Sequence, residues 1–324
     1  MRFIDNEIAV LAEVDQGLAL YDIKNPNNCV ELDHYFLSNV HDLELDYERE
    51  LIFIASSAGV NIFNYSNPNQ LELLSIYHNF TSCLYIQLKG ELLLIGAEDR
   101  GLQIVNVSNP LYPIMIDEWV DSTGRVGPVY IMDDYIFVGT RIPDIGGPPI
   151  PIDLKILNIS DPHNITYLST VHTGEGYAGG APKAHHKEKV YLNDYKYGLK
   201  VLNFTDPLNV TLLGSYFDGG IINDVKLLNE DIAFLADDSN GLKILNCSDA
   251  KNPIIFKSYH HQWRTVRVSI NNDRIYLGTI EGGVRILSTR NPNGIGIHPF
   301  FIIFSISITF GFLLYRIKIR KENY

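Results

Sequence analysis

GLQIVNVSNP, residues 101–110, is one of seven copies of a short phrase whose recurrence decides the fold. The others read GLALYDIKNP from Gly17, GVNIFNYSNP from Gly59, DLKILNISDP from Asp153, GLKVLNFTDP from Gly198, GLKILNCSDA from Gly241 and GVRILSTRNP from Gly283. Their last residues fall at 26, 68, 110, 162, 207, 250 and 292, so successive copies stand 42, 42, 52, 45, 43 and 42 residues apart. A near-constant period of this length marks a repeat architecture, in which each unit buries its apolar surface against its neighbours.

Around the quoted stretch lie four short apolar runs, CLYIQL, ELLLIGA, GLQIVNV and PIMIDEWV. Lys89-Gly90, Asp99-Arg100-Gly101 and Ser108-Asn109-Pro110 separate them. Short runs rich in Ile, Val, Leu and Tyr between Gly, Asn and Pro are strands. A helical repeat of similar period needs apolar spacing of three and four sustained over ten or more residues, and these segments are too short for it. Four strands per repeat make a propeller blade. The expectation is an all-β, seven-bladed β-propeller of four-stranded antiparallel blades, with strands named a to d outward from the axis.

The phrase resembles the LVIVD repeat, with its Gly, alternating aliphatics, Asp, Ser and Pro-containing turn, and the resemblance runs from about residue 8 to residue 292. It implies a surface-associated propeller and assigns no activity. This chain departs from the pattern by placing Asn64, Asn106, Asn158, Asn203 and Asn246 where Asp is usual, and only Asp22 keeps the acid.

Four segments follow from this reading: the propeller over 1–292, a linker over 293–298, a membrane helix over 299–315 and a basic tail over 316–324. The stretch PFFIIFSISITFGFLLY at 299–315 carries no charge and has the length of a short bilayer span. Arg316, Lys318, Arg320 and Lys321 follow it, which places the tail in the cytoplasm and the propeller outside. The alternative is a tail-anchored chain with a cytosolic propeller. The first residues, MRFIDNEIAV, show no export signal, blade one has only a stub of strand a, and blade seven shows no strand d before 299. The missing pieces are expected upstream of Met1. With strand c of blade seven leading to the membrane, the c–d turns face the bilayer, and the b–c and d–a loops face outward.

The chain has 26 Lys and Arg against 38 Asp and Glu, a net charge of −12, which becomes −15 without residues 300–324. So acidic a body disfavours nucleic acid as a partner. Cys29, Cys83 and Cys247 show no zinc or redox spacing, and no phosphate loop, dinucleotide fingerprint or nucleophile elbow is present, so no cofactor is expected. Among eight sequons, the five repeat asparagines are expected to bond their own turns between blades. Asn79, Asn164 and Asn209 are the candidate glycan acceptors.

The irregular segments at 141–152 (RIPDIGGPPIPI) and 173–183 (TGEGYAGGAPK) map to the b–c and d–a side, where loops that break a uniform repeat carry function. His41, Asp42, His172, His185, His186, Asp224, His260, His261, Trp263 and Arg264 are the ligand-face candidates, with His41, His185 and His186 as weak metal candidates. The expected function is a membrane-anchored, cell-surface binding module for a protein or glycan, without catalysis. The alternatives are a metal-dependent, lactonase-like hydrolase working at the channel mouth and a structural surface-layer component.

Overall fold

The computed structural model describes residues 1–14, 16–80, 83–97, 100–121, 125–141, 151–175, 181–194, 198–280, 282–288 and 302–304. Among these residues run 28 strands in seven four-stranded antiparallel sheets, the blades of a seven-bladed β-propeller. Sheet one is β1 (Arg2–Phe3), β2 (Ile8–Glu13), β3 (Gly17–Asp22) and β4 (Val30–Tyr35). Sheet two is β5 (Asp42–Asp46), β6 (Leu51–Ser56), β7 (Gly59–Asn64) and β8 (Glu72–Tyr77). Sheet three is β9 (Cys83–Lys89), β10 (Leu92–Ala97), β11 (Gly101–Asn106) and β12 (Ile114–Trp119), and sheet four is β13 (Arg125–Met132), β14 (Tyr135–Arg141), β15 (Pro151–Asn158) and β16 (Thr166–Glu175). Sheet five is β17 (Ala181–His186), β18 (Lys189–Asp194), β19 (Gly198–Asn203) and β20 (Thr211–Tyr216). Sheet six is β21 (Asp224–Leu227), β22 (Ile232–Asp237), β23 (Gly241–Asn246) and β24 (Ile254–Tyr259), and sheet seven is β25 (Thr265–Asn271), β26 (Arg274–Thr279), β27 (Gly283–Ser288) and β28 (Ile302–Phe304).

Packing groups the chain into two units. One comprises Met1–Asp22, Val30–Pro182 and Asn203–Thr211; the other comprises Ile23–Cys29, Lys183–Leu202 and Leu212–Tyr324. In the first, β6 shows how the sequence makes the core. All six of its residues are buried, and because successive side chains point to opposite faces, Leu51, Phe53 and Ala55 join the layer shared with sheet three while Ile52 and Ile54 join the layer shared with sheet one. A strand covered on both faces reads as an unbroken apolar run, which is how LIFIAS reads. A third layer, with Leu94, Ile104, Ile136 and Leu157, lies between sheets three and four. In the second unit the same construction gives one layer with Tyr191, Val201, Val225 and Leu235 and another with Phe234, Ile244, Val268 and Leu277.

The repeat asparagines do what their turns require. Oδ1 of Asn106 accepts the backbone N–H of Ser108 at 2.8 Å and its Oγ–H at 2.6 Å, and Asn64 and Asn203 hold Ser66 and Thr205 in the same way. Asn158 and Asn246 accept the N–H of Ser160 and Ser248. Asn164 and Asn209 are exposed, whereas Asn79 is half-buried with its amide against the Met115 sulfur.

Blade one does carry only a two-residue strand a, β1 paired with β2. Blade seven departs from expectation: it has a fourth strand, β28, whose Ile302, Ile303 and Phe304 pair with Ile286, Arg285 and Val284. The chain therefore returns along β27 instead of leaving from its c–d end, and the inference that the c–d turns face a bilayer loses its basis. Among the described residues no helix is long and apolar enough to cross a membrane. The helix expected at 299–315 lies outside the described residues except at 302–304, which are strand. The insertion expected at 141–152 falls between β14 and β15, with 142–150 outside the described residues, and 176–180 of the other irregular loop are likewise outside them.

Candidate functional site

The third residue of each phrase, in strand c, is Ala19, Asn61, Gln103, Lys155, Lys200, Lys243 and Arg285. In blades three, six and seven this buried side chain reaches back to the d–a loop before its own blade. Gln103 Nε2 reaches the Asn79 carbonyl at 3.5 Å, Lys243 pairs with Asp218, and Arg285 lies 3.8 Å from the Trp263 ring centroid. In blade five Lys200 instead pairs at 2.6 Å with Asp194, at the end of strand b. The row of seven letters was visible in the sequence. What hid its role is that an alternating strand reads Lys as outward unless both of its faces are covered.

The second unit gathers most of this polarity on the b–c and d–a edge of sheets six and seven. Lys243 is 4 % exposed and pairs with both Asp237, which is 0 % exposed, and Asp218. Asp218 also accepts Tyr216 Oη–H and the N–H of Gly220. Burial pushes the Asp237 carboxyl up to about 6, with the Asp238 charge adding to it against the hydrogen bond from Asn240, and burial lowers Lys243.

Beside this pair, Asp238 ties the two sheets together. Its carbonyl accepts the Thr265 N–H at 2.8 Å, and its carboxylate takes Arg264 Nε–H at 2.9 and 3.1 Å. Asn223 Nδ2 donates to the Thr265 carbonyl at 2.9 Å. The loop from His260 to Arg264 is fixed from within. The Trp263 N–H donates to His261 Nδ1 at 3.2 Å, so the ring proton resides on Nε2, which lies 2.9 Å from Thr265 Oγ1. Burial, then Arg285 and His260, lower His261 to about 4, so its ring is neutral at pH 7. Arg285 is held from the other side by Tyr259 Oη at 3.2 Å. The loop thus presents a half-exposed Arg264 guanidinium (48 %), a partly exposed Trp263 and an exposed His260 on a rigid support.

Of the residues expected on a ligand face, the structure brings together His260, His261, Trp263 and Arg264. Asp224 is buried and accepts the Val268 N–H at 3.2 Å, and Asp42 accepts the Ile86 N–H at 3.1 Å; both clamp one sheet to the next. His41 is exposed ahead of β5, its N–H on the Ala55 carbonyl. His172 Nδ1 stands 2.7 Å from Asp153 in sheet four. His185 and His186 are the last two residues of β17, strand a of sheet five, at its a–b turn, and His186 meets Glu230 of the next a–b turn at 3.1 Å. Among the described residues no group of three or more His, Cys, Asp or Glu is arranged to hold a metal ion. Cys29, Cys83 and Cys247 are buried free thiols, and burial raises the Cys83 and Cys247 pKa values.

The LVIVD repeat matches residues 85–120 and 219–261, so the chain carries LVIVD repeats. No curated protein matches it in sequence. Similar solved structures include the periplasmic gluconolactonase PpgL of Pseudomonas aeruginosa, with a TM-score of 0.69 at 11 % identity over 90 % of this chain and 93 % of that one. The Myceliophteria thermophila Swd1 β-propeller domain gives 0.68 at 11 % identity over 89 % and 96 %. A functionally unknown protein from Desulfotomaculum acetoxidans gives 0.64 at 10 % identity over 91 % and 98 %. At these identities the likeness is one of fold.

Proposed function

We propose that this LVIVD-repeat propeller is a binding module, taking a protein or glycan ligand on the b–c and d–a edge of sheets six and seven and performing no chemistry of its own. The observation that carries this reading is the loop from His260 to Arg264. Its backbone and rings are locked by Thr265, Asp238, Arg285 and Tyr259. A partly exposed Trp and a half-exposed Arg on a pre-organised support are the residue types that dominate binding energy at interfaces, and rigidity lowers the entropic cost of association. Trp263→Ala and Arg264→Ala are each expected to weaken capture of the ligand from a glycan array or a host-surface extract by at least about tenfold, the scale of an interface anchor. Unfolding midpoints should stay within a few degrees of the parent. Undiminished capture by both variants would move the ligand site elsewhere.

Display at a membrane belongs to the same proposal. The absence of charge and the length of 299–315 support it, and the basic residues from Arg316 onward favour a cytoplasmic tail. Because Ile302–Phe304 form β28, strand and span draw on the same three residues and exclude one another within one molecule. With those residues in the sheet, 305–315 leaves only eleven uncharged positions, about half of what a spanning helix needs. The full chain expressed in cells is expected to stay with the membrane fraction through alkaline carbonate extraction. Its quantitative release would show β28 to be the lasting use of this segment. A hydrolytic reading, with a metal at the inner strands, has against it the basic side chains that lie there.

A further inference from the structure

The loop from His260 to Arg264 hangs on one ring. His261 Nδ1 accepts the backbone N–H of Trp263 at 3.2 Å, and its Nε2–H donates to Thr265 Oγ1 at 2.9 Å, so the imidazole bridges the loop to the first residue of β25. Only one form of the ring satisfies both contacts. A neutral imidazole with its proton on Nε2 has an acceptor at Nδ1 and a donor at Nε2, as the two partners require. An imidazolium donates from both nitrogens, and its Nδ1–H would be set against the Trp263 N–H.

The surroundings add to that cost. The Tyr259 ring, at the end of β24, lies 5.7 Å from the imidazole, and the Trp263 ring stands at 6.2 Å. The charged groups that act on His261 are Arg285 of β27 and His260 of the same loop, and both oppose a positive charge on it. The Asp238 carboxylate, in the b–c turn of sheet six, is engaged by Arg264. Burial first, then these two neighbours, hold the ring at about 4 against an ordinary 6.5.

We propose that His261 is the positioning residue of this loop and an acid-operated catch: neutral, it seats Trp263 and Arg264 for the ligand, and protonated, it lets the Trp263 N–H go and the loop opens. Release of the ligand rests on the reading of this loop as the binding edge, whereas the catch itself does not. In the open loop the ring regains its ordinary affinity for a proton, so opening takes one up. Opening is therefore favoured about tenfold for each unit by which pH falls between about 6.5 and 4, and is unchanged by pH outside that window.

Amide hydrogen exchange of the full chain, read at Trp263 and corrected for the pH dependence of free-amide exchange, tests the catch without any ligand. Protection of the Trp263 N–H is expected to fall about tenfold per unit between about pH 6 and 4.5, while amides of β10 and β11 in sheet three keep theirs. His261→Asn offers an oxygen to the same N–H and takes up no proton, so its protection at Trp263 should be flat over that range, whatever its level at pH 7. Asp237, raised to about 6 beside Asp238, and His260 are present in both proteins and cannot produce the difference. Protection at Trp263 that ignores pH in the parent, or that falls equally in His261→Asn, overturns the proposal. If the variant fails to fold, the slope at Trp263 in the parent against that at β10 and β11 decides. Ligand capture at pH 7 and pH 5 then bears on the binding edge: capture untouched by acid while the loop opens would overturn the edge and leave the catch standing.

Discussion

Lys243→Met is expected to destabilise the protein by about 1–2 kcal/mol at pH 7, since an Asp237 carboxyl that titrates at about 6 in the parent can escape further cost by staying protonated. Methionine has nearly the volume of the lysine stem and leaves no large cavity, so the loss is electrostatic. It strands Asp237, with no exposed surface, beside Asp218 and Asp238 without the ammonium that both Asp237 and Asp218 share. The pH dependence gives the cause away. The Asp237 carboxyl in the folded protein is raised to about 6 from an ordinary 3.8, so its contribution to stability is full below about 4 and is lost as pH rises through 6. Without Lys243 the folded value rises further, and the deficit of the variant should be small at pH 4 and largest above 7. Denaturant midpoints of parent and variant at those two pH values check this. A deficit equal at both would point to lost packing of the lysine stem instead.

The second large effect is expected at Gly101, the first residue of β11. Its φ is +79°, and a Cβ placed there would stand 2.2 Å from the Trp119 carbonyl oxygen and 3.0 Å from the Val120 Cα. The obstacles are backbone, so no side-chain rotation relieves them. Gly101→Ala should cost on the order of 3 kcal/mol: about 1–2 for the left-handed backbone, the rest for displacing β12 from its pairing with β11. A lower denaturant midpoint with an unchanged slope is the expected signature, and a midpoint within experimental scatter would contradict it. Gly198 and Gly241 meet the carbonyls of Tyr216 and Tyr259 in the same way, which explains why the phrase opens on glycine in blades three, five and six.

The fold was legible because its determinants are local and repeated: glycine where φ is positive, asparagine where the c–d turn needs an acceptor, and apolar runs where both faces of a strand are covered. Six copies of the phrase begin on glycine, and blade four, which begins on Asp153, is the blade with the insertion before strand c. The candidate site was legible only in part. His260, His261, Trp263 and Arg264 fall in one loop, and proximity in sequence is proximity in space. Asp224 and Asp42 misled, since a carboxylate at the start of an inner strand looks like a ligand for solvent until the N–H it accepts on the next strand is known. Lys243 and Asp237 were missed because their partnership spans a hairpin and a neighbouring loop. Strand β28 was missed because IIF in an uncharged stretch fits a helix in lipid as well as a strand edge, and only pairing with Val284–Ile286 distinguishes the two.

The alternation in β6, with odd residues serving one neighbour and even residues the other, limits how such a protein can change over time. Gain or loss of one residue inside a strand would deliver to each adjoining sheet the side chains shaped for the other, and two interfaces would fail at once. Length is then added safely only by copying a whole repeat or by extending a connection at the rim. The extra residues between β14 and β15 obey that rule: the ladder they interrupt runs from Tyr135 opposite Asn158 to Thr140 opposite Asp153 without a shift of register.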